Sequence, residues 1–230
     1  MNPSSAAPRG TPILVWDLPV RVFHWLMVLS FVGAWLSSGS ERWQLVHITL
    51  GYTMAALVVL RVVWGLVGSR HARFTAFVRG PRALAAYIAS MRRHPPEHFT
   101  GHNPAGALAI VALLVLTLVT VGFGWASYSE RGGDWLAEVH EGASNVLLGV
   151  VGLHLAGVVV GSWLHGENLV RAMFTGRKLG RPDESIGRTR RSLGVLLLAA
   201  VLGFWLFQWA TSPGPVVPPG NAATPRASDD

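Results

Sequence analysis

His140–His165 reads HEGASNVLLGVVGLHLAGVVVGSWLH. Between Ala143 and Leu164 it carries no charged residue, and it is long enough to cross a hydrocarbon core, which takes about 20 helical residues. His154 nevertheless lies inside it, with His140 and His165 at its ends. Ionisable side chains are costly in lipid and mark function. His140 and His154 are 14 residues apart, close to four turns, so they share a helix face and differ in depth by about 21 Å.

The whole chain reads the same way. Of its 230 residues, 50% are hydrophobic and 13% charged, against about 25% charged in a soluble domain; mean hydropathy is +0.39. This excludes an ordinary water-soluble enzyme and a disordered chain. Four further apolar runs approach the length of a span: Val22–Ser38, Ile48–Val67, Pro104–Ala126 and Leu193–Trp209. Asp17 ahead of Leu18-Pro19, and Asn103 ahead of Pro104, read as helix N-caps with proline in the first turn. The segment Met1–Gly10 is polar and is expected to be no cleavable signal. The stretch from Ser212, with Pro213, Pro215, Pro218, Pro219 and Pro225, reads as an extended tail. The chain has no cysteine, so disulfides, thiolate chemistry, iron–sulfur ligation and covalent haem attachment are excluded.

Charge sets the expected topology. Arg70, Arg73, Arg79, Arg82, Arg92 and Arg93 lie between spans two and three. Arg171, Arg177, Lys178, Arg181, Arg188, Arg190 and Arg191 lie between spans four and five, and Arg9 and Arg21 flank the first span. The opposite side has Arg42, Arg131 and Arg226 among Glu41, Glu130, Asp134, Glu138, Glu141, Asp229 and Asp230. Positive loops stay inside, which predicts a multi-pass protein of the bacterial cytoplasmic membrane, N-terminus cytoplasmic and C-terminus periplasmic. The net charge of +7 is then a topological signal, and nucleic acid is not an expected partner. Pro81–Arg93 reads as a short amphipathic helix along the cytoplasmic lipid interface. Trp16, Trp43, Trp64, Trp125, Trp135, Trp163 and Trp209 read as interfacial belts.

Histidines of matching depth can now be paired. The first span runs outward, placing His24 in the cytoplasmic half; the second runs inward from His47 at the outer face. The natural pairs are His47 with His140 and His24 with His154. His165, 11 residues beyond His154 and on the same face, suits His24 nearly as well. Two neutral imidazoles on facing helices are what a bis-histidine b-type haem requires, and two such haems would form an electron path across the bilayer. Arg21 and Arg61 inside and Arg42 outside are candidate partners for haem propionates. His71, His94, His98 and His102 fall in the cytoplasmic connection and carry no such argument.

Several motifs point to a family. Val15-Trp16-Asp17-Leu18-Pro19-Val20-Arg21-Val22-Phe23-His24-Trp25, His47 with Gly51-Tyr52, and Arg61-x-x-Trp64-Gly65 resemble bacterial cytochrome b561 and nickel–iron hydrogenase b-type cytochrome subunits. So do Gly101-His102-Asn103-Pro104-Ala105-Gly106 and His165-Gly166-Glu167-Asn168-Leu169-Val170-Arg171. The resemblance implies an all-α membrane protein whose four-helix bundle binds two b haems through His24, His47, His140 and His154. It also implies electron exchange with quinone or a redox partner subunit. The expected organisation is a polar segment over 1–14, the diheme core over 15–178, a basic connection over 179–192, a fifth span over 193–209 and a Pro-rich tail over 210–230.

The function expected is electron transfer between the quinone pool and a periplasmic partner, with a cytochrome c ahead of a hydrogenase. Glu130–Glu141 is the expected docking surface, and His165, Glu167 and Arg171 are candidate quinone and proton-delivery groups. The rivals are a superoxide:quinone oxidoreductase acting alone, the membrane-anchor cytochrome of a hydrogenase or other dehydrogenase, a non-redox transporter using the histidines as a proton relay, and an assembly subunit. Oligomers are compatible with all of these.

Overall fold

The computed structural model describes residues 10–90 and 99–212. His94, His98, Arg92, Arg93, the first nine residues and the Pro-rich tail from Pro213 lie outside the described residues. Eight α-helices occur among the described residues: α1 (Leu18–Ser37), α2 (Gln44–Val67), α3 (Phe74–Phe77), α4 (Pro81–Ser90), α5 (Pro104–Tyr128), α6 (Trp135–His165), α7 (Leu169–Thr175) and α8 (Arg191–Thr211). Helices α1, α2, α5, α6 and α8 are long and apolar enough to cross a membrane. They match the five expected runs; α6 begins at Trp135, two turns ahead of the expected Ala143, and the others extend a few residues further at one end or both.

Both expected caps form. Asp17 accepts from Val20 N at 3.1 Å and Asn103 from Gly106 N at 2.7 Å, each with proline in the first turn. Proline lacks an N–H that the first turn could not use. Large side chains such as Leu36, Leu153, Val159 and Leu206 point outward from the long helices; this is the pattern of helices solvated by lipid.

The helices pack as a chain of neighbours: α1 on α2, α2 on α5, α5 on α6, with α8 on the outside of α1. Helix α6 makes its extensive backbone approach to α5, not to α1 or α2. A crevice therefore separates the α1–α2 pair from α6. Leu26, Leu57 and Val201 form a buried cluster where α1, α2 and α8 meet, and Trp205 Nε1 donates to Thr53 Oγ1 at 2.9 Å. In lipid, packing and such interhelical hydrogen bonds hold helices together.

The basic end carries what the all-α expectation missed. Strand β1 (Thr11–Leu14) pairs antiparallel with β2 (Arg177–Gly180), Thr11 opposite Gly180. Val15 N and Trp16 N donate to Gly176 O at 2.8 and 3.0 Å. Gly176 sits at φ 77°, and a Cβ there would meet Trp16 O at 2.5 Å; only glycine ends α7 in this way. Ile13, Val15, Trp16, Val20 and Ala72 make a second buried cluster beneath the bundle. Trp16 is buried there and Trp64 Nε1 donates to Asp17 Oδ2 at 3.1 Å. These two are packing residues, a correction to the belt reading. Trp43, Trp125, Trp135, Trp163 and Trp209 are exposed, as a belt requires.

Candidate functional site

The acidic end of the crevice is formed by α2 and α6. His47 and His140 face each other with ring centroids 6.1 Å apart and planes at 80°. His47 Nδ1 lies 2.8 Å from the Ala34 carbonyl oxygen of α1, and His140 Nδ1 lies 2.8 Å from the Thr120 carbonyl oxygen of α5. A carbonyl only accepts, so both Nδ1 atoms carry a proton, and in the neutral imidazole this leaves the lone pair on Nε2. Metal-binding histidines are oriented in this way. Bonds of about 2 Å from each nitrogen to one metal fit the separation of these rings. Gly124 makes room for the arrangement, since a Cβ there would lie 2.7 Å from His140 Nδ1. Beside His47, one turn along α2, a Cβ on Gly51 would meet nothing within 4 Å, which leaves space for a flat ligand. The residues present fit a bis-imidazole haem.

The second layer lies toward the basic end. His24 is within coulombic reach of His154 across the crevice. His24 Nδ1 is buried without a hydrogen-bond partner among the described residues, and its ring meets Trp25 edge-on at 5.1 Å. Trp25 in turn stacks on Phe174 of α7 at 4.2 Å. The structure thus sets His47 against His140 and leaves His24 within coulombic reach of His154.

The other expected residues are placed as follows. Arg61 is buried, with its guanidinium over Phe74 and Phe77 at 5.1 and 6.0 Å. Arg21 Nη2 donates to the Phe174 carbonyl. Arg42 is exposed over the Trp43 ring at 5.5 Å. His165 closes α6 ahead of Gly166, which is left-handed at φ 59°. Glu167 accepts from Leu179 N at 2.7 Å and pairs with Lys178 at 3.4 Å, while Arg171 is exposed on α7. Burial lowers the pKa of Lys178, opposed by the Glu167 carboxylate. An open groove lined by Val158, Val159, Ser162, Trp163, Glu167 and Val170 runs along this end of α6.

Two loop histidines that carried no argument in the sequence are structural parts of the basic end. His71 is buried and its Nε2 donates to Glu184 O at 2.7 Å. His102 packs against Trp16 at 4.5 Å and Phe77 at 4.7 Å. Burial, then the charges of Arg61, Lys178, His154 and His71, push the His102 pKa down to about 3, so the ring is neutral at pH 7. The signals available were the family-like motif Gly101–Gly106 that contains it and its neighbour Asn103, whose capping role fixes His102 to the start of α5.

The family model for prokaryotic cytochrome b561 matches residues 15–176, a stretch that contains both histidine layers and ends at the glycine closing α7. The chain belongs to the prokaryotic cytochrome b561 family. It is therefore a membrane cytochrome b, and haem b is its cofactor. Among curated proteins it is 23% identical over 219 residues to a probable Ni/Fe-hydrogenase B-type cytochrome subunit of Rhizobium leguminosarum bv. viciae, covering 75% of this chain and 91% of that one. A protein of the same description from Rhodobacter capsulatus is 26% identical over 153 residues, 55% of this chain and 58% of that one. The probable Ni/Fe-hydrogenase 1 B-type cytochrome subunit of Escherichia coli K12 is 27% identical over 144 residues, 51% and 60%. The matches to these last two thus span about three fifths of their length. No solved structure matches this cytochrome b561.

Proposed function

We propose that this chain binds two haems b in a four-helix bundle of α1, α2, α5 and α6, and carries electrons across the cytoplasmic membrane. The observation that carries the reading is the outer pair: His47 and His140 face each other with Nδ1 bonded to backbone carbonyls and Nε2 left open. His24 and His154 serve the inner layer in the same reading. Haem bound in each layer takes up and gives up single electrons. The chain's own part is to hold the imidazoles in one tautomer, to keep lipid and water from the crevice, and to place the two layers in series.

The acidic end, with Glu130, Asp134, Glu138 and Glu141, faces the periplasm in this reading, and the basic end faces the cytoplasm. An acidic surface steers a basic redox partner to the outer layer, and it repels superoxide, which disfavours the stand-alone superoxide:quinone oxidoreductase. The names of the relatives favour a hydrogenase-type partner over the cytochrome c expected from the sequence. The chain is then the haem-bearing membrane anchor of a dehydrogenase. Quinone is the electron exchanger at the basic end, its apolar tail in the groove beside Trp163, with His165, Glu167 and Arg171 the groups for hydrogen bonding and proton delivery.

Purified protein tests the reading. We expect two haems per chain by pyridine haemochrome and a split α-band on reduction. A colourless preparation, or a single haem under metal-replete growth, overturns it. Pull-down with a tag on the chain identifies the partner: co-purification of a hydrogenase supports the anchor reading, and a cytochrome c alone restores the other.

A further inference from the structure

At the basic end two buried nitrogens, one on a guanidinium and one on an imidazole, point into protein without a hydrogen-bond partner among the described residues. Arg61 is 4% exposed, yet its Nη1 is buried without a hydrogen-bond partner among the described residues. His102 Nδ1 is likewise shut from solvent and unpartnered. The two side chains pack on the same aromatic ring, Phe77, the guanidinium 6.0 Å and the imidazole 4.7 Å from its centre. A buried guanidinium with an unused N–H is costly. The carboxylate nearest in charge, Asp17, already accepts from Val20 N and from Trp64 Nε1. An anionic acceptor would complete the guanidinium, and would complete His102 as well with the imidazole proton on Nδ1.

Depth indicates which one. His24 stands six residues into α1 and Arg61 six residues before the end of α2, so both lie about 9 Å from the basic end. His102, at the foot of α5, is within coulombic reach of His154 as well as Arg61. We propose that Arg61 and His102 form a buried carboxylate site, filled by a propionate of the inner haem. The proposal rests on the two-layer reading above. It singles out Arg61 from the three arginines that the sequence left equal: Arg42 is exposed, and Arg21, although its Nε is unused, is partly exposed and tied to the Phe174 carbonyl. It also adds His102, which no spacing argument reached.

The test uses holoprotein from cells fed aminolevulinate labelled at its carboxyl carbon, which places the isotope in the haem propionates. Redox-difference infrared spectra then separate propionate bands from side-chain and free carboxylates. The labelled band is expected to move in Arg61→Gln and His102→Ala, and to return toward its wild-type position in Arg61→Lys and His102→Gln, which keep the charge and a donor. The inner-haem potential is expected to fall in Arg61→Gln, because a cation favours the more negative, reduced state. Arg79→Gln, an exposed charge over Phe99 at the same end, leaves band and potential in place. Two bound haems with an unmoved labelled band overturn the site alone, as does movement of an unlabelled band in its stead. A wild-type protein with one haem overturns the two-layer reading and the site with it.

Discussion

The two histidine layers differ in what holds their rings. At the acidic end His47 and His140 are each clamped by a carbonyl from a different helix, Ala34 of α1 and Thr120 of α5, so both rings are oriented by backbone alone. At the basic end His24 Nδ1 has no hydrogen-bond partner among the described residues, and aromatic contact with Trp25 does the orienting. The acidic-end layer is thus preorganised by the helix packing. The basic-end layer depends on a side-chain shell built from α3, α7 and the loops, and in the proposed reading on the ligand itself.

The largest effect that can break this comparison is loss of a whole haem. His47→Ala or His140→Ala is expected to remove one of two haem equivalents and leave the other, read by pyridine haemochrome. His154→Ala removes the second; if it keeps both, His165 is the ligand in its place. Next in size is the rate of haem release to a scavenging apoprotein. On the proposed two-haem reading, the acidic-end haem is expected to leave roughly 10–100-fold more slowly, the usual worth of an orienting partner. Gly124→Val sharpens the test, because its side chain would invade His140 Nδ1 and should erase the advantage without touching the inner layer.

Smaller effects test the scaffold behind the layers. Trp205→Phe removes the bond to Thr53 and is expected to cost about 1 kcal/mol in detergent unfolding, with both haems retained. Smallest is Thr100→Val. The Thr100 hydroxyl at 2.7 Å and the Arg181 backbone hold the Glu184 carboxyl below its usual range. A carboxylate with a depressed folded pKa contributes stability above its unfolded value and loses it as pH falls through the folded one. Wild type should therefore exceed the variant near pH 7, and the gap should close on acidification below about 4, the ordinary carboxylate range.

Much of this was legible in the residues. An uncharged run as long as Ala143–Leu164 has few stable places outside a bilayer, because its backbone must bond within itself, and its helical period fixes the depth of His140 relative to His154. The caps at Asp17 and Asn103 are local, three-residue reaches, and so were readable too. The four-residue strands β1 and β2 were not. Each is too short to show a period, and they pair across most of the chain. His102 escaped for the same reason: polar flanks read as a loop, and only the approach of Trp16 and Phe77 buries it.

The amino-acid order by itself determined the five spans, the charge asymmetry between their ends and the depths at which four imidazoles sit, since these depend on hydropathy and on a regular rise per residue. Only the tertiary structure decided which nitrogen of His47 and His140 faces the crevice, and that Arg61 and His102 meet at one ring. Both depend on which distant carbonyl or aromatic group packing brings alongside, and no helical period encodes that.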